Sequence, residues 1–263
     1  MLQHISLGQY IPSDSLIHGL DPRIKIITVV AMVMGVFAAS FPLQLMALLV
    51  FSSVLIYMSG ISGKYYLQAL KPFIPIMVIT LVAQMLFVGG REIFALGIIR
   101  ITYEGLWAAA ALGVRLVIIL VMARLLTATT TPVAMTDGLE KMIKPLARIG
   151  FPTHELVMIM TISLRFIPLL LEEAVAIRRA QICRGVDYNQ GSPIKRVYKL
   201  TSILVPLFRI SFQRAADLAL AMESRSYRGG EGRTHLYKLI ISKKDVYYLT
   251  AVLTIIVLIT QLL

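Results

Sequence analysis

Two arginines in this 263-residue sequence stand where a guanidinium is hard to hide. In AQICRGVD, residues 180–187, a helix-forming run ends on Arg184 between Cys183 and Gly185. In AMESRSYRGG, forty-one residues on, Arg225 lies between Ser224 and Ser226. A planar, permanently charged fork with small neighbours can enter a groove and bond carboxylates or backbone carbonyls at two points at once. Two such tips suit two grooves, hence a partner that is itself paired. A simpler chemistry also fits. A cation near a helix C-terminus gains about 0.3–1 kcal/mol from the helix dipole, and Gly185 supplies a left-handed stop. Capping accounts well for the first site. It accounts less well for the second, where Tyr227 follows Ser226 and the next glycine is Gly229. On sequence alone, docking and capping both stand.

The other reactive groups are poorly placed for catalysis. There is no GxxxxGK[ST] cradle for nucleotide phosphates and no HExxH; His4, His18, His154 and His235 are scattered. His154 and Glu155 are adjacent and do not face one metal from one helix side. No aspartate-rich pair sits at a span end, as a magnesium-diphosphate site would need. Glu172 and Glu173 project about 100° apart on a helix and make poor acid–base partners. A single cysteine, Cys183, rules out an intrachain disulfide and a thiolate metal cluster. A membrane enzyme would have to rely on a buried acid such as Glu172. A stand-alone carrier would need a polar path at which only Arg115 hints.

Composition sets the elements that must position the two arginines. The chain is 57% apolar and 15% charged, with a mean hydropathy of +0.79, which points to a membrane protein. The formal charge of +12 divides into +4 over residues 1–136 and +8 over 137–263. A basic cytoplasmic face gives such an excess, and no aromatic-plus-basic motif argues for nucleic acid. The first 20 residues lack a basic stretch followed by an apolar one, so no cleavable leader is expected.

About five segments match the roughly 20 apolar residues a spanning helix needs: 24–40, 42–59, 72–89, 105–127 and 246–263. Asp21-Pro22 supplies a cap and a first-position proline for the first of them. Lys and Arg in the short loops place the N-terminus inside and the C-terminus outside. The link holding Arg91 and Arg100, offset by Glu92 and Glu104, fits that rule least well. Residues 132–245 are then cytoplasmic, and their pattern predicts helices over 133–148, 153–184 and 193–226. The division is a four-span bundle over 1–131, a cytoplasmic helical segment over 132–245 and a final span over 246–263.

In the last cytoplasmic helix, Phe208, Phe212, Ala215, Ala219 and Met222 recur at helical spacing, with Arg209, Gln213, Asp217 and Ser224 mainly on another face. The run 156–171 is interrupted by Arg165 and Pro168; it is expected to lie in or under the headgroup layer, kinked at Pro168, with an extra pair of spans as the rival. Arg115 sits mid-span, where a charge needs a partner; Glu104 and Asp217 are its candidate counter-ions. Arg124 can snorkel. Ala31, Gly35 and Ala39 form a small-residue stripe suited to close helix contact or to ordinary packing within the chain.

The stretches HGLDPRIKI, TATTTPVAMTDGLEKMIKPLARIG, ISLRFIPLLLEEAVAIRRAQICRGVD and VPLFRISFQRAADLALAMESRSYRGG together resemble the T components (EcfT) of energy-coupling factor transporters, over essentially the whole chain. The resemblance implies an all-α, multi-pass protein of a prokaryotic cell membrane, non-catalytic, with long cytoplasmic coupling helices. It implies that Arg184 and Arg225 dock into two ABC-type ATPase subunits, expected as a heterodimer. Cys183-Arg184-Gly185 and Ser224-Arg225-Ser226 then keep the arginine and small flanks of the family's Ala-Arg-Gly-like motif, with Cys183, Ser224 and Ser226 departing from its alanine and glycine. ATP and magnesium would be bound by those ATPases, with no cofactor in this chain. A substrate-binding membrane S component would carry a vitamin or other micronutrient. It would rest on the apolar face Phe208, Phe212, Ala215, Ala219 and Met222 and on the run Leu164–Leu171. A dedicated cobalt or nickel system is the alternative within the family.

Overall fold

The computed structural model describes residues 10–96, 99–143, 145, 153–227, 229 and 241–262. The elements in chain order are α1 (Pro22–Ala38), α2 (Pro42–Met58), α3 (Gly63–Leu70), a 3-10 turn (Lys71–Phe73), α4 (Ile74–Phe87), β1 (Glu92–Leu96), β2 (Ile99–Thr102), α5 (Tyr103–Thr129), α6 (Pro132–Ile143), α7 (Thr153–Cys183), α8 (Pro193–Ser224) and α9 (Lys243–Leu262). The described residues fall into two compact units, one drawn from Gly8–Gly138 and Lys238–Leu263, the other from Leu139–Tyr237.

The first unit is a helical bundle whose members match the five expected spans in position. Gly63–Phe87, Tyr103–Thr129 and Lys243–Gln261 are long and apolar enough to cross a bilayer, and α2 is a shorter apolar helix. At 17 residues, α1 reaches about 25 Å. Its start follows the sequence: the Asp21 side chain accepts from the Arg23 amide at 2.9 Å, and Pro22 opens the helix. The start of α2 is closed by Gln44, whose Oε1 accepts from the amides of Ser40 and Phe41 at 2.8 and 3.0 Å. The third span begins earlier than residue 72. Lacking amide hydrogens, Pro72 and Pro75 tighten the helix locally into the 3-10 turn rather than ending it.

The bundle core is built from Met32 and Val36 of α1, Leu48 and Leu55 of α2, Ile118 and Met122 of α5, and Val252 and Ile256 of α9. Helix α4 packs beside α5 and buries no residue fully. An apolar helix left uncovered is stable only where the solvent is itself apolar, which is the environment of a bilayer.

Three details depart from the sequence reading. The link after α4 is an antiparallel hairpin, pairing Phe94 with Ile101 and Leu96 with Ile99. Its base is held by Glu104, which accepts from the Arg91 amide at 2.7 Å. Glu104 is therefore engaged away from Arg115. The Arg115 guanidinium instead donates to the carbonyl of Ala39 at 2.7 Å, at the residue that closes α1. A cation there meets the negative end of the α1 dipole, so a backbone carbonyl fills the role expected of a carboxylate. Arg124 lies over the Tyr65 ring at 4.3 Å, which gives the guanidinium a cation–π partner.

The small-residue stripe is used within the chain. A side chain at Gly35 would begin 2.7 Å from Cγ2 of Ile256 on α9. Gly35→Leu should therefore force α1 and α9 apart at a cost of about 1–3 kcal/mol. The check is a lowered midpoint for thermal unfolding in mild detergent, with Gly63→Leu, which meets no atom within 4 Å, as the comparison.

In the second unit, α7 and α8 form a long antiparallel hairpin. Tyr227 lies against Met158, Arg214 pairs with Glu173, and Tyr188 bonds Ser202. The packed side of α8 carries the half-buried Ile203, Leu207, Ile210 and Leu218. Both helices run unbroken through an internal proline, Pro168 and Pro206. Among the described residues, neither holds a stretch apolar and charge-poor enough to join the spans Gly63–Phe87, Tyr103–Thr129 and Lys243–Gln261. The expected end of the 133–148 helix lies partly outside the described residues; α6 is described to Ile143.

Candidate docking site at the ends of two long helices

The opening arginines close their helices in the same way. At the end of α7 the Gly185 amide bonds the Ile182 carbonyl at 3.0 Å and the Val186 amide reaches back to Gln181 at 3.1 Å. At the end of α8 the Ser226 amide bonds Glu223 at 2.9 Å and the Tyr227 amide reaches back to Met222 at 3.1 Å. Each is a Schellman closure. Arg184 and Arg225 are the capping residues, and the left-handed residue comes next: Gly185 at φ +89° and Ser226 at φ +56°.

Capping thus explains the second end as well as the first, contrary to the sequence expectation, because Ser226 takes the role sought at a glycine. Ser226 is the one non-glycine residue at positive φ among the described residues. That conformation costs an ordinary residue roughly 1–2 kcal/mol. Ser226→Gly should relieve roughly 1 kcal/mol and slow exchange of the Tyr227 amide about fivefold; Gly185→Ala should impose a similar strain and speed exchange at Val186. Hydrogen exchange followed by mass spectrometry reads both.

Capping does not account for what the side chains meet. Cys183, Arg184, Gly185, Ser224, Arg225 and Ser226 are all exposed. Neither guanidinium makes a hydrogen bond or ion pair among the described residues. A Cβ built on Gly185 meets nothing within 4 Å. The two tips are not brought together. Because α7 and α8 are antiparallel, they sit at opposite ends of the hairpin, separated by the length of a 32-residue helix, about 48 Å. No single narrow groove could receive both at once.

The tip at Arg184 is stiffened from behind by residues that the sequence reading did not single out. Lys199 Nζ donates to the carbonyls of Asp187 and Gln190, Tyr188 Oη and Ser202 Oγ lie 2.9 Å apart, and Arg196 Nε donates to Gly191 at 3.1 Å. The α7–α8 connector is therefore pinned to the first turns of α8. The only hint in the sequence was the run of basic residues after Pro193.

The apolar stripe divides. Phe208 and Phe212 are 60% and 73% exposed, and Ala215 and Ala219 are exposed beside them. Met222 is half-buried in line with Leu218, on the packed side. Leu164 and Leu171 are half-buried on α7. Among the described residues no three His, Cys, Asp or Glu side chains come together as a metal site.

These features define a class: a multi-span helical membrane protein with a separate helical hairpin that offers one exposed arginine at each end. Residues 13–236 match the family model CbiQ, described as cobalt transport protein. The chain is 44% identical over 250 residues to the energy-coupling factor transporter transmembrane protein EcfT of Thermosediminibacter oceani, covering 93% of this chain and 92% of that one. It is 44% identical over 234 residues to the EcfT of Thermanaerovibrio acidaminovorans, covering 89% and 87%, and 42% identical over 247 residues to that of Clostridium kluyveri, covering 93% and 92%. The chain belongs to the EcfT family, the transmembrane components of energy-coupling factor transporters.

Proposed function

We propose that this chain is the non-catalytic scaffold that links ATP hydrolysis in two ABC-type ATPase subunits to uptake of a vitamin or similar micronutrient bound by a membrane S component. Arg184 enters one ATPase subunit and Arg225 the other. ATP and magnesium stay with those subunits. The bundle sits in a prokaryotic cell membrane with the N-terminus inside and the C-terminus outside, which leaves 132–245 on the ATPase side. The S component rests on the exposed Phe208–Ala219 face of α8, beside Leu164 and Leu171.

One observation carries this reading: the same closure, with an exposed arginine at its cap, recurs at both ends of a hairpin about 48 Å long. That separation suits two receiving subunits, preferably unlike ones, because the flanks differ. When the ATPase pair closes on ATP, the two tips are drawn to a new spacing and the hairpin passes that change to the S component, a coupling through a two-state element. The test is purification from mild detergent. Two ATPase polypeptides and one small membrane protein should accompany the chain in fixed proportion, and their absence would overturn the scaffold role. A second reading, a dedicated cobalt or nickel transporter, draws on the printed description of the matching family model. One ATPase polypeptide with a metal-binding subunit in the same purification would select it.

A further inference from the structure

The first turn of α1 is tied to the segments of the bundle unit that precede the outgoing crossing and follow the incoming one. The chain leaves the bundle unit after Gly138 and returns to it at Lys238. On the outgoing side, Lys25 Nζ donates to the carbonyl of Thr129, the last residue of α5, at 2.9 Å, and to the carbonyl of His18 at 3.0 Å. Further along the outgoing chain, α6 lies against the same turn: a Cβ on Gly138 would sit 3.1 Å from Cβ of Pro22 and 3.5 Å from the Arg23 amide. On the incoming side, Asp245 in the first turn of α9 accepts the Asp21 amide at 3.3 Å through Oδ1 and the Ser242 amide at 2.8 Å through Oδ2. Arg23 grips Asp21 through two bonds, at 3.0 and 2.8 Å. Asp21, Lys25, Thr129 and Asp245 are all buried.

Buried charged groups satisfied by backbone atoms of three different segments are unfavourable to separate, because each parting leaves an unpaired polar atom out of water. The sequence reading used Asp21 only as a helix cap. Nothing in that role requires a buried lysine four residues on or an aspartate from the far end of the chain.

We propose that Asp21–Lys25 is a joint that locks the outgoing and incoming crossings to each other, so that α5 and α9 move as a pair, with Lys25 as its positioning residue. The consequence for transport rests on the scaffold function proposed above; the joint itself does not. Two measurements separate them. In the isolated full chain in detergent, Lys25→Met keeps the buried stem and removes the ammonium. Hydrogen exchange should then rise at 128–138 and at 242–247 together, with the core of α2 unchanged. A rise confined to the end of α5 would overturn the joint. In the assembled complex in liposomes, Lys25→Met should hold ATP hydrolysis within about twofold and lower uptake by about tenfold or more. Parallel loss of both activities would show a merely structural role and also overturn the proposal. If Lys25→Met does not accumulate in membranes, Asp245→Asn, which keeps shape and one acceptor, should give the same paired exchange signature. If the wild-type chain captures no ATPase, the scaffold function fails while the exchange result still decides the joint.

Discussion

Arg184→Glu combined with Arg225→Glu should abolish co-purification of the ATPase pair while leaving membrane insertion and helix content unchanged. Both guanidinia are exposed and unpaired among the described residues, so the substitutions remove nothing that holds the chain together beyond a cap–dipole term of about 0.3–1 kcal/mol each. In a desolvated groove the loss is larger. Truncating one partner of a buried charge pair costs about 2–5 kcal/mol, and reversing the sign adds repulsion. In the proposed docking the two contacts act as one bivalent grip. Losing either forfeits an avidity gain of roughly 10²–10⁴, so each single reversal should weaken capture sharply and the pair should end it. Arginine-to-lysine changes separate docking from capping. Lysine serves a helix dipole as well as arginine but lacks the planar fork. Full capture by Arg184→Lys with Arg225→Lys would reduce the site to simple charge, and full capture by the double glutamate variant would remove it.

The long elements were legible in the sequence because a bilayer imposes a length and an apolarity that few other environments demand. The five runs became α1, α2, the Gly63–Phe87 stretch, α5 and α9, and the two long helices after Thr153 end within two residues of their expected limits. What escaped was set by backbone geometry. The partner of Arg115 is a carbonyl 76 residues away, and every residue carries a carbonyl, so no side-chain spacing announces it. Ser226 reads in the sequence as a small flank rather than a helix stop, because serine rarely adopts positive φ; only its place after Arg225, parallel to Gly185 after Arg184, marks it. The strands paired within 92–102 are only five and four residues long, and β-branched residues alternate in the second alone, at Ile99 and Ile101, too short a pattern to announce a hairpin. The separation of the tips was within reach: two helices of about 30 residues joined by a short connector must lie antiparallel, which sends their C-termini apart.

Phe208→Asp with Phe212→Asp should release the small membrane partner while the ATPase pair stays bound. The two rings occupy positions one helical turn apart on a face of α8 that its packing on α7 leaves open. Exposed substitutions of this kind change fold stability by about 0.5 kcal/mol or less, so the hairpin and its arginine tips should survive. A partner that covers both rings gains about 1.5–3 kcal/mol from each, and replacing them with carboxylates forfeits that and adds desolvation. The expected loss is about 3–5 kcal/mol, which is a fall in affinity of roughly 10²–10⁴. Met222→Asp should behave differently. Its side chain lies in line with Leu218 on the packed side, so the damage should reach the hairpin itself and loosen both partners together. Quantifying each subunit recovered with the three variants separates the outcomes. Retention of the membrane partner at the wild-type level by the double phenylalanine variant would assign the open face to lipid contact and take the S component off α8.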